Sequence, residues 1–189
     1  IQAEVIAADL THQIIHTSIG NLTYDYLVIA LGAELSPESI PGFRDAAFNA
    51  YSLEHLSLLA AELPKFKKGR IVVFVSHLPY LGVGPYELVL LLQDYFHRKG
   101  RGNQVQVTFV TPETSPLPIA GPKFGRGILD LLERRGIGVS TQARILQLNT
   151  KSGHLILDGG IYIPGDMFIG IPSHQGPSPF RGTLLAQDG

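Results

Sequence analysis

Tyr24-Asp25-Tyr26-Leu27-Val28-Ile29-Ala30-Leu31-Gly32-Ala33 is the stretch on which the fold turns. Three short strand-like segments, Glu4 to Ala8, Gln13 to Thr17 and Leu22 to Tyr24, lead into an apolar run, Tyr26 to Ala30, that stops at Gly32. This reads as a β-meander feeding a buried strand. The layout returns near the other end of the chain: Arg144 to Leu148, His154 to Leu157 and Ile161 to Ile163 lead into Asp166-Met167-Phe168-Ile169-Gly170-Ile171. One supersecondary pattern is therefore written twice.

The second copy is preceded by a β-α-β-α-β series. Its strands are Arg70 to Val75, Val105 to Val110 and Gly138 to Thr141, and its helices run from Gly84 to Lys99 and from Pro122 to Arg135. Continuous apolar Ile71-Val72-Val73-Phe74-Val75 suits a parallel strand covered on both faces, whereas Val105, Val107 and Phe109 alternate with Gln106 and Thr108. Pro85 opens the first helix and His97-Arg98-Lys99-Gly100 closes it, cations at the negative end of the dipole followed by a stop. Phe124, Ile128, Leu131 and Leu132 stripe the second, which ends at Arg134-Arg135-Gly136. Ser52 is placed to cap a third helix that Pro64 ends. The expected class is α/β: a Rossmann-like, three-layer domain with a parallel sheet and a β-meander, and a partial second copy at the N-terminus. Residues 1–45 are expected to be the C-terminal part of an incomplete nucleotide-binding domain, 46–69 a linker helix, 70–174 a second, fuller domain, and 175–189 a tail returning toward the first.

Composition narrows the chemistry. The 189 residues are 44% hydrophobic and 16% charged, enough apolar material for a core and too little charge for a disordered chain. A formal net charge of −1 removes the default attraction to nucleic acid. There is no Cys, so thiolate metal sites, iron–sulfur ligation and cysteine redox pairs are excluded within these residues. The seven His show no tight ligand spacing, so no metal site is expected. No apolar run approaches the roughly 18 residues of a membrane-spanning helix, and the expected location is cytoplasmic or peripheral to a membrane.

Two tracts give the family resemblance. Residues 24–33 resemble the Tyr-Asp-x-Leu-Val-Ile-Ala-Thr-Gly motif of flavoproteins with two dinucleotide-binding domains, with Leu31 in place of Thr. Pro79-Tyr80-Leu81-Gly82-Val83-Gly84-Pro85-Tyr86-Glu87, Leu117-Pro118-Ile119-Ala120-Gly121-Pro122 and Ile171-Pro172-Ser173-His174-Gln175-Gly176-Pro177 resemble the sulfide:quinone oxidoreductase and flavocytochrome c sulfide dehydrogenase flavoprotein family. The resemblance covers roughly residues 20 to 185. It implies FAD as cofactor, a quinone-type electron acceptor, Ala30, Leu31 and Gly32 lining the cofactor, Tyr80, Gly82 and Pro85 facing it, and Glu87 as the catalytic proton-handling group. The family's redox Cys falls where Leu81 or Gly82 stands here, which speaks against sulfide chemistry. The expectation is a middle section of an FAD-dependent oxidoreductase that, alone, binds FAD weakly or not at all.

Other readings stay open. NAD(P) would need a glycine-rich turn directly after the first strand, but Ser76-His77-Leu78-Pro79-Tyr80-Leu81 intervenes before Gly82-Val83-Gly84, and Glu113 lies well past the position of a ribose-binding acid, about 20 residues on. His77 and His174 are candidate bases at strand ends, and Ser76-His77 lacks the context of a hydrolase nucleophile. A non-catalytic ligand-binding or assembly domain is the alternative of a different class.

Overall fold

The computed structural model describes residues 1–78 and 82–185. Strands β1 (Val5–Asp9), β2 (Ile14–Thr17), β3 (Gly20–Thr23) and β4 (Glu34–Ser36) come first. They are followed by a one-turn helix α1 (Phe43–Ala46), β5 (Ala47–Asn49), α2 (Leu53–Glu62), β6 (Gly69–Val75), α3 (Gly84–Arg98), β7 (Val105–Val110), α4 (Pro122–Arg134) and β8 (Gly138–Ser140). The chain closes with β9 (Ile145–Asn149), β10 (His154–Leu157), β11 (Ile161–Pro164), β12 (Met167–Ile171) and β13 (Ser173–Gln175). It divides into two compact units, one of residues 1–35 with 174–189 and one of residues 36–173.

The larger unit is built on a five-stranded sheet of order β5-β12-β6-β7-β8, every pairing in it parallel. Successive side chains of a strand point to opposite faces, and both faces here are covered. Ile71, Val73 and Val75 of β6, Met167, Ile169 and Ile171 of β12, and Val105, Val107 and Phe109 of β7 enter one core with Leu59 of α2, Val89, Leu92 and Phe96 of α3, and Leu132 of α4. Val72, Phe74, Phe168 and Val110 enter the other, with Phe43 of α1, Ile145 and Leu148 of β9 and Leu155 and Leu157 of β10. The antiparallel meander β11-β10-β9 is thus the third layer, opposite the helices. The three-layer Rossmann-like α/β architecture expected from the sequence is what forms.

The helices start and stop as their residues dictate. Ser52 accepts a hydrogen bond from the His55 N–H and caps α2. Pro85 occupies the first turn of α3, where a missing N–H costs nothing, and His97 and Arg98 sit in its last turn. Residues 46–69, expected to be a linker, contribute β5, the edge strand beside β12, and the core residues Ala47 and Leu59.

In the smaller unit β1, β2 and β3 form an antiparallel meander, the N-terminal counterpart of β9-β10-β11. The continuation differs from expectation. Tyr26 to Ala30 is not a buried strand: the backbone is irregular, and Tyr26 and Val28 are 94% and 89% exposed. An extended apolar run becomes a strand by pairing with neighbours, and among the described strands none lies beside it. β4 pairs with β13, and Glu34 accepts from the Ser178 N–H at 2.8 Å and from Arg181 at 2.5 Å, which holds its carboxyl below the usual range.

Candidate functional site

A doubly wound sheet presents a crevice outside the carboxyl ends of the two strands where the chain reverses its direction of travel. Here those strands are β6 and β12. From β6 the chain builds outward through β7 to β8, while β12 and β5 lie on the other side. Ser76 and His77 leave β6, and Pro172 and Ser173 leave β12. The Ser76 N–H donates to the Ile171 carbonyl at 2.9 Å and so ties the two ends together. Ser76 is 1% exposed, and among the described residues its Oγ has no hydrogen-bond partner. A buried hydroxyl without a protein partner costs free energy unless water or a ligand supplies one. Beside it the His77 ring Nδ1 lies 3.5 Å from Ser173 Oγ, which lies 3.4 Å from Ser39 Oγ.

The start of α3 borders the same end of the sheet. Gly82 adopts φ +60° with open space where a side chain would stand, and Pro85 is buried. A Cβ at Gly84 would come within 3.1 Å of Tyr51 Oη, so glycine lets the helix start close to that phenol, whose ionisation burial pushes up. Tyr86 donates its O–H to Glu113, a carboxylate 4% exposed beyond the end of β7. Thr111 Oγ1 also donates to Glu113 Oε2 at 3.3 Å. The acid weighed as a ribose ligand is therefore engaged by two hydroxyls of its own chain.

The other expected site residues fall as follows. Tyr80 lies outside the described residues. Glu87 is exposed in the first turn of α3 and lines a cleft of about 560 Å³ against α4, with Leu90, Phe124 and Ile128. Ala30, Leu31 and Gly32 are exposed in the smaller unit, and Gly32 takes φ +72° with nothing within 4 Å of a would-be Cβ. His174, at β13, belongs to that unit as well. Among the described residues no group of three or more His, Asp or Glu side chains is placed to hold one metal ion. Sequence reasoning missed the orphaned Ser76 hydroxyl and the Tyr86–Glu113 pair. A polar residue directly after a fully apolar strand was the available signal for the first; nothing local signals the second, whose members are 27 residues apart.

The sheet order and the meander make up a fold that solved oxidoreductases share. The chain is similar along most of its length to sulfide:quinone oxidoreductases. It is 21% identical over 177 residues to the mitochondrial enzyme of Dictyostelium discoideum and 23% identical over 165 residues to that of Mus musculus, matches that cover 87% and 84% of this chain. It spans only 38% and 36% of those relatives' lengths. The solved sulfide:quinone oxidoreductase of Aquifex aeolicus superposes with a TM-score of 0.82 at 22% identity, over 94% of this chain and 43% of that one. A ferredoxin reductase from Rhodopseudomonas palustris superposes at 0.64 and 16% identity, over 90% of this chain and 40% of that one. No family model matches the chain.

Proposed function

We propose that this chain is the middle section of an FAD-dependent oxidoreductase of the sulfide:quinone type, delivering electrons to a quinone-type acceptor. The observation that carries the reading is that likeness to sulfide:quinone oxidoreductases runs through both compact units, over 87% of the chain in sequence and 94% in fold. In this reading residues 1–45 hold the C-terminal part of the FAD-binding domain, the unit that ends at Ser173 is the second dinucleotide-binding-like domain, and the residues after it return to the first.

The residues present fit such a cofactor. Gly32 in one unit and Gly82 in the other each hold left-handed backbone with nothing among the described residues near a would-be Cβ, which leaves each backbone open to a planar group, and among the described residues the buried Ser76 hydroxyl at the switch point has no partner. By that resemblance Ala30, Leu31 and Gly32 are the cofactor-lining residues proposed for the first domain, and Gly82 and Pro85 those proposed for the second, each taken within its own unit. Bound FAD supplies the two-electron chemistry. Glu87 would take or give the proton that accompanies quinone reduction, since it is exposed beside the apolar α3–α4 cleft, where a ring could rest on Leu90, Phe124 and Ile128. The absence of Cys favours a donor other than sulfide, NAD(P)H among them. The same absence is the observation behind a second reading, a domain that binds or assembles without turnover.

Reduction of a water-soluble quinone by the whole polypeptide containing this chain, with sulfide and separately with NADH as donor, tests these readings. Turnover with either donor, lowered at least about tenfold by Glu87→Gln, supports the oxidoreductase. Absence of both flavin and turnover in that polypeptide overturns it.

A further inference from the structure

The two meanders lead into segments of the same make-up that meet opposite fates. Asp25 follows the last residue of β3 by two positions, as Asp166 follows the last residue of β11. Each acid opens an apolar run, Tyr26-Leu27-Val28-Ile29-Ala30 in one and Met167-Phe168-Ile169-Gly170-Ile171 in the other. The second run is β12, buried along its whole length between two parallel neighbours, β5 and β6. The first is irregular, with Tyr26 and Val28 almost fully exposed. The contact that sets the place of the β6 neighbour is Asp166, whose Oδ2 accepts from the Arg70 N–H at 2.8 Å and from Arg70 Nε at 3.3 Å, one residue before Ile71 pairs with Met167. A one-residue slip turns every side chain of a strand to the other face, so a charged contact at its start fixes register as well as affinity. Asp25 holds the same place in the first copy. Its backbone carbonyl accepts from Gln13 Nε2 at 3.5 Å, while its carboxylate stands on the surface.

From this correspondence we infer that residues 25–31 are a docking edge for a parallel β-strand led by a basic residue, and that Asp25 is the group that sets its register. The occupant is a polypeptide strand of the kind β6 is, a Gly-Arg start followed by unbroken apolar residues, contributed from outside the 189 residues. In the docked state Asp25 accepts the main-chain N–H and the cation of the leading residue. Tyr26 then pairs with the residue after it, as Met167 pairs with Ile71. Main-chain pairing along residues 26–30 supplies affinity, and the alternating apolar side chains are covered as the strand adds. A strand that starts with a neutral or acidic residue leaves the Asp25 charge unmatched, which is the source of selectivity. That edge rests on the reading of residues 1–45 as part of an incomplete domain and adds the chemistry its missing neighbour must carry.

The probe is a synthetic peptide with the sequence of Lys68 to Val75 and a solubilising tail, titrated into the full chain and read from the Asp25 to Leu31 amides in ¹H–¹⁵N spectra. Saturable shifts of those amides are expected, and the peptide carrying Val73→Pro, which breaks the strand ladder, should give none. Asp25→Asn in the chain and Arg70→Gln in the peptide should each weaken binding by about tenfold, and both together by no more than either alone. Asp25 lies on the surface, so its variant reads docking rather than folding. Shifts that never saturate, binding that survives Val73→Pro, or losses that multiply overturn the proposal. Concentration-dependent shifts of the same amides without peptide assign the strip to a second copy and overturn it as well. No flavin or quinone enters the titration, so failure here leaves the oxidoreductase reading standing, and failure of quinone reduction leaves the docking edge standing.

Discussion

The phenol of Tyr86, in the first turn of α3, donates to the carboxylate of Glu113, three residues beyond the end of β7, and both side chains are buried. The Tyr86 ring meets Phe109 edge-on, centroids 5.0 Å apart at 70°, so the contact that satisfies the acid also packs the helix on the sheet. Without Tyr86 the acid keeps the Thr111 hydroxyl as a side-chain donor.

Tyr86→Phe should therefore destabilise the protein by about 2 kcal/mol, the cost of leaving a buried carboxyl short of a donor. Removing both partners should cost less than the two single changes together, because no orphan remains. Urea unfolding of Tyr86→Phe, Glu113→Leu and the double variant measures this. Additive losses would show that the two side chains do not act as a pair.

Gly170 lies in β12 where a Cβ would overlap the rings of Phe43 and Phe74. Those rings are fully buried and pack edge to face at 5.4 Å, so neither can retreat into solvent. Gly170→Ala is expected to cost about 1–3 kcal/mol, the usual range for overpacking, and Phe43→Leu in the same chain should return part of it. A shift in denaturation midpoint smaller than that of an exposed Gly→Ala change would contradict the packing.

Asp166 joins the starts of β6 and β12. Its Oδ2 accepts from the Arg70 N–H at 2.8 Å and from Arg70 Nε at 3.3 Å, and chiefly the backbone bond holds the carboxyl below its ordinary range. A lowered folded value means the group stabilises the protein in full above the unfolded value and loses that contribution as pH falls through the folded one. The loss should fall below about pH 4. Urea midpoints from pH 6 down to 2.5 should converge for the parent and Asp166→Asn as the pH drops; a constant gap across that range would refute the linkage.

How much of this was readable in the sequence depends on whether the cause is local. Ile71 to Val75 announces a strand buried on both faces, because an unbroken apolar run has no polar side to turn outward, and all five are buried. Ser52 before Leu53, and Pro85 inside α3, mark helix starts through chemistry that lies within one turn. β5 was not legible: Ala47-Phe48-Asn49 is three residues of no evident period and is a strand because β12 lies alongside. Residues 26 to 30 fail in the opposite sense, having the pattern of a strand without the neighbour that would make one. The site geometry was least legible of all, since the Tyr86–Glu113 relationship joins residues 27 apart through packing between elements.

Val28 gives the sharpest separation between this chain and the larger protein proposed for it. With 89% of its surface exposed, it makes almost no packing contribution here, and Val28→Lys should change the unfolding free energy of the 189-residue chain by no more than about 0.5 kcal/mol. It should also lower self-association, because Tyr26, Val28 and Leu31 together expose an apolar strip that charge interrupts. Sedimentation velocity with urea unfolding measures both effects. In the whole polypeptide the proposed FAD-binding domain would flank residues 26 to 30 with parallel strands, and a lysine at 28 would then be forced into a covered layer. The same substitution there should cost about 2 kcal/mol or more and loosen flavin binding. If it is as harmless there as in the isolated chain, residues 26 to 30 are a surface loop in both settings and do not line the cofactor.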